Sequence, residues 1–255
     1  MSDGANTLSV ARLGIVDYAE ALALQQAMVA ARLAGAIGDT IMLLEHPHVF
    51  TLGRGADANF ITRHVPGVAV HRVSRGGQVT YHGPGQIVGY PIIKLEGAER
   101  DVLRYLRKIE QAIIDALARF DIAAGRRDRM TGVWASGVVM NPRKLASIGV
   151  GIRRWVTLHG FALNVATDLA WFDAIVPCGI DGCQMTSVAA LGRPEITLDA
   201  IGGAIAQRFA ALFGHTILVE VSAAQLWSLL DPAASGCEAR SQAAFSPAKG
   251  GAMRS

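Results

Sequence analysis

Residues 133–140, 145–152 and 155–165 form three apolar, β-rich runs, with turns at Asn141-Pro142 and Arg153-Arg154. Links this short leave no room for a crossover helix, so the three strands must run antiparallel, as a meander. Shorter runs rich in Val, Ile and Leu at 39–45, 68–74 and 87–95 read as further strands. Apolar residues recurring every three or four positions predict helices over 17–33, 101–120 and 197–213. A strand at 216–221 and a short helix at 223–230 follow. Strands cluster and helices flank them, so the expected class is α+β, with one large mixed β-sheet flanked by helices. Residues 1–231 read as a single domain. From 232 to 255 Ala, Ser, Gly and Arg dominate, which reads as a flexible tail carrying Cys237.

The 255 residues are 51% hydrophobic and 18% charged, too apolar for a disordered chain. The longest notable uncharged stretch, 76–93, holds five glycines and two prolines and cannot be a spanning helix. No apolar segment follows a basic start at the N-terminus, and three cysteines make no disulfide framework. The expectation is a cytoplasmic protein in a reducing compartment, without a membrane partner. Net charge is only +3, but residues 100–154 carry twelve basic and five acidic side chains. Such a face suits an acidic protein partner. Without interleaved aromatics or a binding motif it does not suggest nucleic acid. No apolar heptad or long exposed edge is evident, so a monomer is expected.

Four stretches can carry chemistry. The densest is Arg75-Gly-Gly-Gln-Val-Thr-Tyr-His-Gly-Pro-Gly-Gln86. Its glycines allow backbone to approach a ligand, with Tyr81 and His82 offering a flat wall and a titratable tip, although a plain glycine-rich turn has the same pattern. It is neither a phosphate loop nor a dinucleotide fingerprint. In the second, Pro177-Cys-Gly-Ile180, Cys178 sits between proline and glycine on a sharp loop. There it can be a presented nucleophile or a small core hydrophobe. The third is Lys144, one of four lysines beside 20 arginines. Lysine can lose its proton where arginine cannot, yet a solvated strand-end charge fits equally. The fourth is His159-Gly-Phe-Ala-Leu-Asn164, an uncharged strand with polar ends. His46 and His48 flank a proline without a third metal-ligating neighbour, and Cys178 and Cys183 lack zinc spacing.

Together these stretches resemble the octanoyltransferases of lipoate biosynthesis. The resemblance rests on Arg75 to Gln86 with Gly89-Tyr-Pro91, on Lys144-Leu-Ala-Ser-Ile-Gly149, on His159 to Asn164, on Pro177 to Ile180 and on Met185-Thr-Ser187. It spans about residues 41–191. It implies the fold shared by biotin and lipoate protein ligases. It implies transfer of an octanoyl group from octanoyl-acyl carrier protein to a specific lysine of lipoyl domains. The acceptors would be 2-oxoacid dehydrogenase E2 subunits and the glycine cleavage H protein. By the same resemblance Cys178 is the acyl-thioester nucleophile and Lys144 the group that lowers its pKa. Arg75, Gly76, Gly77, Gln78, Val79, Thr80, Tyr81 and His82 would line the acyl pocket with Ser147, Ile148, Gly149, Gly160, Phe161 and Ala162. An acyl thioester is already activated, so no ATP, metal or other cofactor is implied. Backbone N–H groups of the glycine loops would hold the oxyanion. The rivals are an ATP-dependent lipoate–protein ligase, which needs no acyl-cysteine, a non-catalytic module binding lipoyl-domain proteins, and a cysteine acyl hydrolase.

Overall fold

The computed structural model describes residues 6–136, 143–180 and 182–230. The sequence-predicted tail at 232–255, the end of the 133–140 run and the Asn141-Pro142 turn lie outside the described residues.

Along the chain the elements are β1 (Thr7–Ile15), α1 (Tyr18–Ala34), β2 (Asp39–Glu45), β3 (Val49–Leu52), β4 (Ala69–Arg72), β5 (Val79–His82) and β6 (Gln86–Ile92). Then come α2 (Val102–Ala118), β7 (Ala124–Arg127), β8 (Met130–Ala135), β9 (Arg143–Arg153), β10 (Val156–Asn164), β11 (Gln184–Met185), α3 (Leu198–Phe213), β12 (Ile217–Glu220) and α4 (Ala223–Trp227). The nine-stranded sheet runs β12-β1-β2-β6-β10-β9-β8-β7, with β11 added beside β9. It is mixed: β1 lies parallel to β2 and β12, while the β6-β10-β9-β8 centre is antiparallel. A second, three-stranded sheet has the order β4-β3-β5.

The helices begin where side-chain acceptors satisfy free N–H groups. Asp17 accepts from the N–H of Ala19 at 2.7 Å, Asp101 from that of Arg104 at 3.0 Å, and Thr197 from that of Ala200 at 3.2 Å. Gly35 and Gly214 close α1 and α3 in the left-handed conformation, φ 76° and 79°. Helices α2 and α3 cover one face of the large sheet, where Ile109, Ile113, Leu117, Ile201, Ile205 and Phe209 are buried with Leu43, Leu145 and Leu163. Helix α1 covers the other face through Leu24, Met28 and Val29.

The structure differs from the sequence reading in three ways. The meander turn is Arg154-Trp155, one residue later than expected. Both residues have positive φ, 50° and 65°, and Arg153 pairs with Val156, as a two-residue type I′ hairpin requires. The glycine-dense stretch is not all loop, because β5 occupies its middle and pairs with β3. Strands β1, β3 and β7 were not legible either. Among the described residues no helix is long and apolar enough to cross a membrane.

Candidate active site

Lys144 is the second residue of β9, paired by β11 on one side and by Trp134 of β8 on the other. The Lys144 side chain is only 2% exposed. Its Nζ donates to Cys178 Sγ at 2.9 Å and lies 5.2 Å from the centre of the Trp134 ring. Ser147, on the same strand, places Oγ 3.8 Å from the sulfur. Cys178 itself has φ 59° and ψ 11°, a conformation uncommon for a residue with a Cβ. The turn is held by N–H groups of Gly179 and Ile180 donating to the carbonyls of Val176 and Pro177 at 3.0 and 3.1 Å. Gly179 must be glycine: a Cβ there would lie 2.9 Å from Gln78 and 2.8 Å from the Phe60 ring. The cysteine loop therefore docks directly on the glycine-rich segment.

Cys178 and Lys144 line a cavity of about 380 Å³, a size usual for small-molecule sites. Its apolar wall comes from Val79, Met130, Ile148, Phe161, Ala162 and Ile180. Two glycines let β6 and β10 close that wall. A Cβ at Gly89 would lie 2.1 Å from the Phe161 ring, and one at Gly160 would lie 2.1 Å from the Gly89 carbonyl oxygen. Tyr18, Arg75, His82, Tyr90 and His159 form the polar part of the lining. Burial, together with the Arg75 guanidinium, pushes His159 down to about 4. Burial, neighbouring His46 and Arg75 hold His82 well below the ordinary histidine range. Both rings are thus neutral at pH 7. His82 Nδ1 donates to Gln86 Oε1 at 2.8 Å, and Gln86 Nε2 donates to Asn164 Oδ1 at 2.9 Å. Asn164 Nδ2 then donates to the Thr186 carbonyl at 3.0 Å, and the Thr186 N–H to the Lys144 carbonyl at 2.9 Å. This buried chain ties the glycine-rich segment to the strand bearing the lysine.

Of the sequence-selected residues, the structure gathers Arg75, Gly77, Gln78, Val79, Thr80, His82, Ser147, Ile148, Gly149, Gly160, Phe161 and Ala162 around the cavity with Cys178 and Lys144. Two lie elsewhere. Tyr81 faces away, against Phe50, Trp171 and Phe172, with its hydroxyl 2.7 Å from His48 Nδ1. Gly76 spends its N–H on the Val150 carbonyl at 2.9 Å, pinning the segment to β9. The Gly85 N–H is likewise taken by Glu45 Oε2 at 2.7 Å, so neither glycine is free to hold an oxyanion. His46 and His48 do not form a metal pair: His46 bonds the Val16 carbonyl and the Tyr90 hydroxyl, each at 2.7 Å. Tyr18, Tyr90, Arg129, Met130, Thr131, His159 and Ile180 also line the cavity. His159 belonged to a noted motif but read as a core residue. Tyr90 lies in the Gly89-Tyr-Pro91 stretch and Ile180 beside the cysteine; Tyr18, Arg129, Met130 and Thr131 carry no local signal.

A family model described as the lipoyl protein ligase A/B catalytic domain matches residues 17–210. The octanoyltransferase of Solibacter usitatus is 48% identical over 220 residues, covering 84% of this chain and 96% of that protein. That of Geobacter metallireducens is 47% identical over 206 residues, covering 80% and 93%. The chain belongs to the octanoyltransferases of the lipoyl protein ligase A/B family. Membership makes it an acyltransferase, which removes the non-catalytic binding module from consideration. Solved structures show the same fold in lipoate protein ligases. The bi-partite lipoate protein ligase of Thermoplasma acidophilum superposes with a TM-score of 0.67 at 14% identity, covering 89% of this chain and 92% of that one. Lipoate-protein ligase A bound with ATP gives 0.67 at 16% identity, covering 89% and 94%.

Proposed function

We propose that this octanoyltransferase takes its acyl group from octanoyl-acyl carrier protein, holds it as a thioester on Cys178, and delivers it to a lysine of a lipoyl domain. The observation that carries the reading is the 2.9 Å contact between a buried lysine and a half-buried cysteine in the wall of a largely apolar cavity. The Cys178 thiolate, paired with the Lys144 ammonium, attacks the donor thioester carbonyl. The carrier thiolate leaves and takes the proton from Lys144. The acceptor amine then attacks the acyl-enzyme. Cys178 leaves as thiolate, and the proton lost by the amine returns to Lys144. Ser147 Oγ is close enough to the sulfur to donate toward oxygen charge developing at the carbonyl. Each methylene seated against the apolar wall contributes about 0.8 kcal/mol, so cavity depth sets chain-length preference.

The test is intact mass of the full chain after incubation with octanoyl-acyl carrier protein and no ATP. One octanoyl adduct, discharged by an apo lipoyl domain, is expected. Octanoylation only when ATP and free octanoate are supplied would replace this reading with the ligase.

Within residues 100–154, the contacts of the basic side chains favour one part of the proposed docking face over another. On α2, Arg107 is tied to buried Glu110 at 2.7 Å, and Lys108 and Arg104 turn to Glu99 at 2.6 and 3.9 Å. Those charges are committed inside the protein. Arg129, at the β7–β8 turn, lines the cavity with a side chain 93% exposed, and its own partner, Asp128 at 3.7 Å, is 96% exposed, so water screens that pair. Arg129 is therefore the better contact for an acidic carrier. Arg129→Glu is expected to raise KM for the carrier by about three- to tenfold, with the effect shrinking as salt is added. Steady-state kinetics at two ionic strengths checks this, and an unchanged KM rejects the assignment.

A further inference from the structure

Among the described residues Glu110 is the only fully buried carboxylate, and it does not reach the cavity. Its helix packs against β7 and β8, and the carboxylate crosses to both. Oε2 accepts from Arg107 Nη1 at 2.7 Å and from Arg126 Nε at 2.9 Å, while Oε1 accepts from the Gly132 N–H at 3.0 Å. Arg126 is braced in turn by the Arg107 carbonyl and Gln111 Oε1, both at 2.9 Å.

Gly132 is the part of this anchor that touches the site. Its φ is 130°, which a residue with a Cβ rarely adopts. A Cβ there would lie 2.5 Å from Lys144 Cε, 3.2 Å from Nζ and 2.6 Å from the Ala146 carbonyl oxygen. The bare Cα is thus the floor on which the lysine side chain rests. The β8–β9 ladder slips at the same place: Val133 pairs with Ala146 but Trp134 with Lys144, so Leu145 is the extra residue. Bulges of this kind bend a strand and re-aim its side chains. Gly132 lies below the lysine, Trp134 stands beside it and Cys178 receives it.

We propose that Glu110 is a positioning residue for acyl transfer: by holding the Gly132 N–H it fixes the floor and bulge that aim Lys144 at Cys178. The inference rests on the Cys178–Lys144 reading above. Glu110 never meets substrate and acts only through the backbone of β8. An ion-pair role alone would make its charge the essential feature. The geometry makes its acceptor toward Gly132 the essential feature instead.

The experiment measures alkylation of Cys178 by iodoacetamide against pH in the full chain, followed by peptide mass, beside steady-state octanoyl transfer. The groups facing Cys178 are Lys144 from β9, Arg75 from the loop before β5 and Cys183 from its own loop. Arg75 and Cys183 are unchanged in every variant. Gly132→Ala and Glu110→Met are expected to move half-maximal alkylation to higher pH, toward the Lys144→Ala profile. They should lower kcat by about 100-fold, as for roughly 1 Å of misplacement, with KM for the donor within about twofold. Glu110→Gln retains an oxygen acceptor for Gly132 and should keep the wild-type profile while lowering the melting temperature through its lost ion pairs. If Glu110→Met does not fold, Gly132→Ala decides alone. A folded Gly132→Ala protein with the wild-type profile overturns the inference, as does Glu110→Gln shifting as far as Glu110→Met. Coincident wild-type and Lys144→Ala profiles would instead overturn the dyad reading beneath it.

Discussion

Cys178→Ser is expected to lower octanoyl transfer by about 10⁴-fold, to form no acyl-enzyme, and to leave the fold intact. Serine has the same shape and can occupy the same turn, so the left-handed backbone at 178 and the bonds of Gly179 and Ile180 persist. What disappears is a nucleophile that ionises beside an ammonium. Losses of this size follow removal of a nucleophile that works as a unit with its partner. Cys183 is the internal control. It lies in the same loop and lines a separate hollow with Leu169, Phe172 and Met185. Burial, and then proximity to Cys178, raises its pKa and holds it as the thiol, so Cys183→Ala is expected to keep activity within about twofold of wild type. Single-turnover loading by mass, with circular dichroism of each variant, separates the outcomes. A Cys178→Ser protein retaining a tenth of wild-type transfer would remove the thioester from the mechanism.

Local chemistry made part of this molecule legible in its sequence. Of the stripe Leu103, Leu106, Ile109, Ile113, Leu117 and Phe120 that the spacing picks out over 101–120, Ile109, Ile113 and Leu117 face the core, while Leu103 is 62% exposed and Tyr105 is buried in the first turns of α2 instead. Asp101 and Thr197 fall one residue outside their helices because they are caps rather than helical residues. The cysteine was visible because proline and glycine around it force a sharp turn. The illegible part depends on partners distant in sequence. β1 is defined by parallel pairing with β12, about two hundred residues away, and its alternation of polar and apolar side chains is weak. β5 is hidden by glycines on both sides, yet all four of its residues are buried. That burial decides Tyr81, because alternate side chains of a strand face opposite ways. Its neighbour His82 looks into the cavity, while the tyrosine closes a separate cluster with Trp171. Tyr18 reaches the cavity from the first turn of α1 and stacks near His71 and His82. Nothing local distinguishes it from any tyrosine beginning an amphipathic helix.

Lys144→Met is expected to cut octanoyl transfer by about 10³-fold and to leave the protein as stable as wild type, or more stable by about 1–2 kcal/mol. The two effects have one cause. Lys144 is 2% exposed, and no carboxylate lies within ion-pair distance of it among the described residues. Its ammonium has the Cys178 sulfur at 2.9 Å and the Trp134 ring at 5.2 Å. A ring face contributes about 0.5–2 kcal/mol, less than the several kcal/mol an ion loses on leaving water. Methionine is about as long, flexible enough to lie along Gly132, and brings no charge. It therefore removes the desolvation cost while filling the space. It also removes the cation that stabilises the thiolate and the acid that protonates the departing carrier. Denaturant unfolding and single-turnover loading on the same sample test both halves. A variant both inactive and several kcal/mol less stable would make Lys144 a structural pillar whose contact with Cys178 is incidental. An inactive variant of unchanged or greater stability would mean that the fold tolerates a buried charge balanced only by the Cys178 sulfur because the reaction uses it.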